Sequence, residues 1–171
     1  MSFLTDALSL EHVPRWSTVR HYRGQSVAEH SYNVAIIANE ICERLELSSP
    51  DVRRHNIILH ALTHDLDECV TGDIPGIAKQ HYKFQHEPMI DASKFVGVTL
   101  AETRIVKMAD VIEAYTWLNT HGVGEHARKV VKWLSDDCLL PYARQHFTDE
   151  HNGLIMSMIS EIVAEEGRLR T

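Results

Sequence analysis

The sequence predicts an all-α domain of six or seven helices, on three observations. Apolar residues recur at helical spacing in several long segments, two of these segments open on a Ser/Thr-x-x-Glu capping signal, and no segment alternates as a half-buried strand would. A chain of 171 residues has the size of one domain with one core, so residues 1–171 are expected to form a single unit without internal repeats.

Residues 2–10 carry Phe3, Leu4, Leu8 and Leu10 and predict a short helix, followed by an irregular stretch through Pro14 and Gly24. Ser26-Val-Ala-Glu29 reads as a capping box, in which hydroxyl and carboxylate each satisfy an open backbone N–H. Val27, His30, Val34, Ile37, Ile41 and Leu45 then share one face. Ser49-Pro50 supplies the next start, with Pro at the first helical position, and that helix runs through His64 and Asp65 to Thr71-Gly72. Pro75-Gly76 breaks the chain's regularity again, so residues 71–98 are expected to be loop with short helical pieces. Thr99-Leu-Ala-Glu102 is the second capping box, opening a helix to Gly122 with Ile105, Met108, Ala109 and Ile112 inside. A helix over about 124–140 stops before Pro141, and a last one over about 149–165 repeats Leu154, Ile155, Met158, Ile159, Ile162 and Val163.

Composition narrows the function. Hydrophobic residues at 44% and charged residues at 24% are an ordinary globular balance. Seventeen basic against twenty-four acidic residues give a net charge of -7, which disfavours a nucleic-acid surface but permits a small anionic ligand held by a few local cations. Such cations cluster at residues 15–24, where Arg15, Arg20 and Arg23 fall within nine positions. The three cysteines are widely spaced without a CxxC pair, which fits small hydrophobes in a reducing cytoplasm. No signal pattern and no membrane-spanning apolar run is present.

The richest stretch is residues 64–73, HDLDECVTGD, with one histidine and four acidic side chains in ten positions. His64 and Asp65 fall among apolar neighbours, and so do His30 and Asp110 on their own helices. Singly, each has a plain reading as a core histidine or a salt-bridged aspartate. Together, two imidazoles and two carboxylates from three helices suit a borderline divalent metal with open positions left over. His60 adds an alternative, since it shares a face with His64. Glu68, one turn after His64, is placed either to carry a proton or to lie solvated on the surface. Asp73 is placed to cap the next segment or to meet a sugar hydroxyl. Arg15, Lys79 and Lys107 are the nearest cations, and Trp16 beside Arg15 is either core or a stacking surface for a base. Glu-x-x-His pairs, a GxSxG elbow and a Gly-rich phosphate loop are absent.

RW at 15–16, SVAEHSYNVA at 26–35, HDLDECVTGDIP at 64–75 and KMAD at 107–110 together resemble the HD-domain phosphohydrolases. The nearest likeness is to YfbR-like 5′-deoxynucleotidases and the related short phage dATP triphosphohydrolases, over roughly residues 12–120. The resemblance implies an HD-domain helical bundle and a metal held by His30, His64, Asp65 and Asp110. Glu68 would assist proton transfer, Asp73 would lie near the sugar or the attacking water, Arg15 and Lys79 would hold phosphate, and Trp16 would lie against the base. The implied cofactor is a divalent transition metal (zinc, cobalt or manganese), with a second ion such as magnesium accompanying the phosphate chain. The implied partners are a small-molecule deoxynucleotide and further copies of the chain, with neither nucleic acid nor membrane. Only thirty-seven positions separate Asp73 from Asp110, shorter than in the bacterial enzymes, and this compactness favours conversion of dATP to deoxyadenosine and triphosphate. The alternatives are cleavage of deoxynucleoside monophosphates at the same site, and a non-catalytic nucleotide-binding domain.

Overall fold

The caps read from the sequence open the two helices on which the rest packs. Ser26, in extended conformation, accepts the Glu29 N–H at 3.2 Å and starts one of them, while Thr99 and Glu102 make both halves of a capping box at the start of the other. The first box is only half made, because the Glu29 carboxylate goes to Arg23 at 2.6 Å. The computed structural model describes residues 3–47, 52–82 and 97–168. Its helices are α1 (Phe3–Ser9, prolonged by a 3-10 turn at Leu10–His12), α2 (Val27–Arg44), α3 (Arg54–Thr63), α4 (Glu68–Thr71), α5 (Gly76–Tyr82), α6 (Leu100–His121), α7 (Gly124–Trp133), α8 (Leu140–His146) and α9 (Asp149–Arg168). The fold is all-α: among the described residues no strand forms, and the only bridges are the isolated pairs Pro14–Ser26 and His21–Gly122. No helix among them is long and apolar enough to cross a membrane.

Three expected boundaries move. The helix expected from Ser49-Pro50 begins at Arg54; that dipeptide lies outside the described residues, as do residues 83–96 of the expected loop. The same helix does not run through His64 and Asp65, because α3 ends at Thr63. Over residues 63–70 the backbone bonds shorten to three-residue spacing (Leu66 to Thr63, Glu68 to Asp65, Cys69 to Leu66), and the Thr63 hydroxyl turns back to the Leu59 carbonyl. The helix over 124–140 does not stop before Pro141 either. Residues Leu134–Leu139 form a π-helical turn, in which Leu140 N–H reaches back to Ser135. In a regular α-helix the Pro141 ring would collide with the carbonyl four residues earlier, and the wider turn relieves that clash, so the chain continues into α8.

The main core lies between α2, α3, α6 and α9, where Val34, Ala38, Ile41, Ile57, Ala61, Met108, Ile112, Ile155 and Met158 are buried together. The apolar stripe of α9 is therefore used inside the chain. A second cluster of Val19, Trp117, Leu118, Ala127, Val130 and Leu134 joins the 13–25 segment to the α6–α7 corner. Gly122 is required at that corner, since a Cβ there would lie 2.6 Å from the Leu118 carbonyl oxygen. The cysteines are free thiols, with Cys42 buried and Cys69 and Cys138 half-buried.

Glu102 ties the start of α6 to the start of α3. Its carboxylate has no exposed surface; it accepts from the Arg53 and Thr99 backbone N–H groups at 2.8 and 2.7 Å and from the Arg53 guanidinium. Burial opposes the charge, but Arg53 and the two N–H groups hold the carboxyl at about 2. Glu102→Ala is expected to lower the unfolding free energy by about 1–3 kcal/mol at pH 7. Because the folded pKa lies below the unfolded value of 4.5, the contribution is complete above that pH and lost as pH falls towards about 2. Urea unfolding of both proteins should thus show a gap that closes over that window; a pH-independent gap would contradict the assignment.

Candidate metal and phosphate site

His30 comes from the first turn of α2 and is completely buried. Its Nδ1 lies 2.6 Å from Glu113 Oε2, one turn beyond Asp110 on α6. That contact aims Nε2 at two carboxylates, Asp110 Oδ1 at 3.3 Å and Asp65 Oδ2 at 3.5 Å. His64 donates Nδ1–H to the Ala61 carbonyl at 2.8 Å, so its Nε2 also faces Asp65 Oδ2, at 3.2 Å. The tightened turn after α3 lets neighbours His64 and Asp65 face the same point, which successive residues of a regular helix do not do.

Neither Nε2 makes a hydrogen bond, although both are buried. Donor atoms of His30, His64 and Asp65 lie within 4.8 Å of one another, and Asp110 adjoins through His30. Two imidazole nitrogens oriented by a carboxylate and a carbonyl, converging on two carboxylates, are the arrangement in which a divalent metal is bound. These residues fit such an ion. Burial and Arg15 oppose a charged His30, yet Glu113, Asp110 and Asp65 raise its pKa to about 10. Burial would also raise the two aspartates, but His64 and His30 at Asp65, and Lys107 and His30 at Asp110, hold both well below the carboxylate range.

All the sequence-predicted site residues line one cavity of about 1010 Å³, except His30, which is buried behind it. Glu68 is buried at the start of α4, its Oε1 3.0 Å from Lys79 Nζ and its Oε2 without a partner. Burial and the charges of Asp65 and Asp73 raise its pKa to about 7 against the opposing Lys79. Gly72, at φ 71°, ends α4 and turns the chain so that Asp73 meets the 15–16 segment. Asp73 Oδ2 accepts the Trp16 N–H at 3.1 Å, and Oδ1 lies 4.0 Å from Arg15 Nε. Trp16 has φ 64°, a left-handed conformation costly for a bulky residue, and three contacts hold it there. Besides the Asp73 bond, its Nε1–H donates to Gln25 at 3.0 Å and its ring stacks parallel on Trp117 at 5.7 Å. His60 lines the cavity and is not part of the converging group of His30, His64 and Asp65. Lys107, the third nearby cation, pairs with Asp110 Oδ2 at 2.7 Å.

Sequence reasoning missed Glu113, Gln25 and Asn33. Glu113 accepts from His30, Arg15 (3.1 Å), Gln25 (2.6 Å) and Asn33 (3.1 Å). It was findable: three residues after Asp110, it shares the same inward face, and the reasoning that selected Asp110 selects it too. No comparable signal marks Gln25.

A family model described as 5′-deoxynucleotidase YfbR-like matches residues 2–89. A dATP triphosphohydrolase of Salmonella phage PMBT28 is 32% identical over 143 residues, covering 77% of this chain and 73% of that protein. The chain belongs to the YfbR-like family. A 5′-deoxynucleotidase, yfbR, of Photorhabdus temperata is 29% identical over 140 residues, covering 66% of this YfbR-like chain and 70% of its own. The fold matches that of the cyanophage S-2L HD phosphohydrolase DatZ, solved with dA and one catalytic zinc ion, at a TM-score of 0.81 and 22% identity over 96% of this chain and 98% of that one. The expected HD-domain bundle is thereby found.

Glu113 gives this arrangement a test. Glu113→Gln keeps the side chain's size but weakens the orienting contact to His30, and it is expected to lower zinc affinity about 10- to 100-fold in chelator competition. Wild-type protein should gain thermal stability on zinc addition and lose it to EDTA. Equal zinc affinity in the two proteins would remove Glu113 from the site.

Proposed function

We propose that this YfbR-like protein is a metal-dependent deoxynucleotide phosphohydrolase that converts dATP to deoxyadenosine and triphosphate. The observation that carries this reading is the cavity's extent along α6. Ala114, Asp110, Lys107 and Thr103 all line it, so it continues past Asp110 for roughly 10 Å towards the N-terminus of α6, at 1.5 Å per residue. That length suits a phosphate chain longer than one unit. The similarity to the phage dATP triphosphohydrolase supports the same reading.

His30, His64, Asp65 and Asp110 would hold the metal; two imidazoles and two carboxylates accept zinc, cobalt or manganese. When bound, a divalent cation supplies Lewis-acid polarisation of a phosphoryl oxygen and a water acidic enough to attack at neutral pH. The chain's own groups do the rest. Arg15, its Nε buried without a hydrogen bond, binds the phosphate next to the sugar, and Trp16 lies against the nucleoside. Lys79 exchanges its contact with Glu68 for a phosphate oxygen, leaving Glu68 Oε2 and Oε1 to receive the proton of the attacking water and pass it to the leaving oxygen. Asp73 keeps Arg15 and Trp16 in position from beside the sugar. Magnesium would accompany the distal phosphates as the second ion.

The second reading, release of phosphate from deoxynucleoside monophosphates, is favoured by the family model and by the Photorhabdus relative. Incubating zinc- or cobalt-loaded protein with dATP and dAMP and identifying the phosphorus product separates the two. Triphosphate from dATP is expected; inorganic phosphate from dAMP alone would establish the second reading, and no turnover with either would overturn both. Glu68→Gln should lower kcat by about 10²–10⁴-fold with zinc affinity kept; an unchanged rate would remove Glu68 from proton transfer, and dATP bound but not consumed by the wild type would favour a non-catalytic binding domain. Self-association belongs to the same proposal: Tyr32 and Ile36, four apart on α2, are each more than half exposed, and sedimentation showing only monomer would count against it.

A further inference from the structure

The cavity has a second tryptophan that neither the metal cluster nor the phosphate contacts use. His126, Val130, Trp133, Leu134 and Asp137 fall at positions 0, 4, 7, 8 and 11 along α7 and its π-helical extension, and all of them line the cavity. Trp133 packs on the cluster of Ala114, Val130 and Leu134 on one side and is only partly buried. Its six-membered ring lies beside the backbone at Gly76, where an added Cβ would lie 3.5 Å from Cη2 and 4.0 Å from Cζ3. No described residue accepts its indole N–H.

Trp16 is committed by comparison. Its ring is stacked on Trp117, the Arg15 guanidinium lies over it at 5.1 Å, and its N–H is given to Gln25. A flat heterocycle entering the cavity therefore meets in Trp133 an aromatic side chain with fewer polar and ring contacts than Trp16 has. The wall around it is apolar, with Val111, Ala114, Val130 and Leu134. Ala114 stands one turn from Asp110, roughly 6 Å along α6, so this wall lies within a nucleoside's reach of the metal cluster.

We propose that Trp133 is a specificity-determining residue that contacts the nucleobase, its indole forming with Gly76 the wall on which the base stacks. The proposal rests on the deoxynucleotide reading above and adds that the ligand at this end is an aromatic base, with the larger purines gaining most contact. Stacking on an aromatic ring is tolerant of base identity but grows with ring area.

Binding of deoxyadenosine and of inorganic triphosphate, measured separately by calorimetry on zinc-loaded protein, tests it. Trp133→Leu should weaken deoxyadenosine by about 10- to 100-fold, the size of one base–aromatic stack, and leave triphosphate within about twofold. Trp133→Phe should keep most of the nucleoside affinity. Gly76→Leu, which crowds the indole from its Gly76 side without replacing it, should weaken deoxyadenosine as Trp133→Leu does, and KM for dATP should rise more than KM for dTTP in both. Unchanged deoxyadenosine binding in a folded Trp133→Leu protein, or equal loss of both ligands, overturns the inference while wild-type turnover leaves the deoxynucleotide reading standing. Wild-type protein that neither binds nor hydrolyses these ligands overturns that reading itself.

Discussion

A completely buried imidazole has two nitrogens to satisfy, and the way His30 satisfies them organises the site. Nδ1 goes to Glu113, which must then be stabilised as a buried carboxylate. Three further donors do this: Arg15, Gln25 and Asn33, from the irregular segment and from α2. Gln25 in turn accepts from the Trp16 indole, and the Trp16 backbone donates to Asp73. One hydrogen-bond network thus runs from α6 through α2 to the end of α4, and every group expected to touch phosphate or sugar, Lys79 excepted, hangs on it. Networks of this kind specify a single arrangement because each half-made state leaves a buried charge unanswered.

The charges explain why the network converges on a cation. Asp65, Asp110, Glu113, Glu68 and Asp73 face Arg15, Lys107 and Lys79, five carboxylates against three fixed cations. This excess of carboxylates over fixed cations favours a divalent ion at the point where they converge. The same carboxylates raise His30 to about 10 against burial and Arg15, and burial with the charges of Asp65 and Asp73 raises Glu68 to about 7. Metal binding here is linked to proton release, since the imidazole ligands must be neutral to coordinate.

How much of this was legible depends on the range of the forces involved. Caps and apolar periodicity are local, so α2, α6 and α9 could be read within a few residues, and with them the inward positions of His30 and Asp110. The capping box at Ser26 was half right because Glu29 had a stronger partner in Arg23, six residues back, that the motif does not contain. The break after Thr63 and the passage through Pro141 are backbone rearrangements, a tightened turn and a π turn, that leave the hydrophobic pattern nearly unchanged. Gln25 and Trp133 acquire their places only from packing between distant segments, and nothing in their immediate sequence announces them.

The segment from 13 to 25 carries Arg15 and Trp16 without being a helix, yet it is fastened along its length. Arg15 N–H donates to the Gln25 carbonyl and Val27 N–H to Val13, closing the segment at its base at 2.9 Å each. Tyr22 N–H reaches His121, and Val123 N–H reaches Arg20 at 2.8 Å, pinning the far end to the α6–α7 corner. A loop held at both ends can keep Trp16 in a left-handed conformation that an open loop would relax. The entropy of ordering the guanidinium and the indole is then met during folding, not when substrate arrives, which leaves more of the contact energy for binding and positioning. Lys79 differs: half exposed and, among the described residues, hydrogen-bonded through its ammonium to Glu68 only, it would on the proposed function exchange that carboxylate for a phosphate oxygen. The rigid cation therefore suits the phosphate nearest the sugar, and the exchangeable one suits a group whose arrival must also free the Glu68 carboxylate.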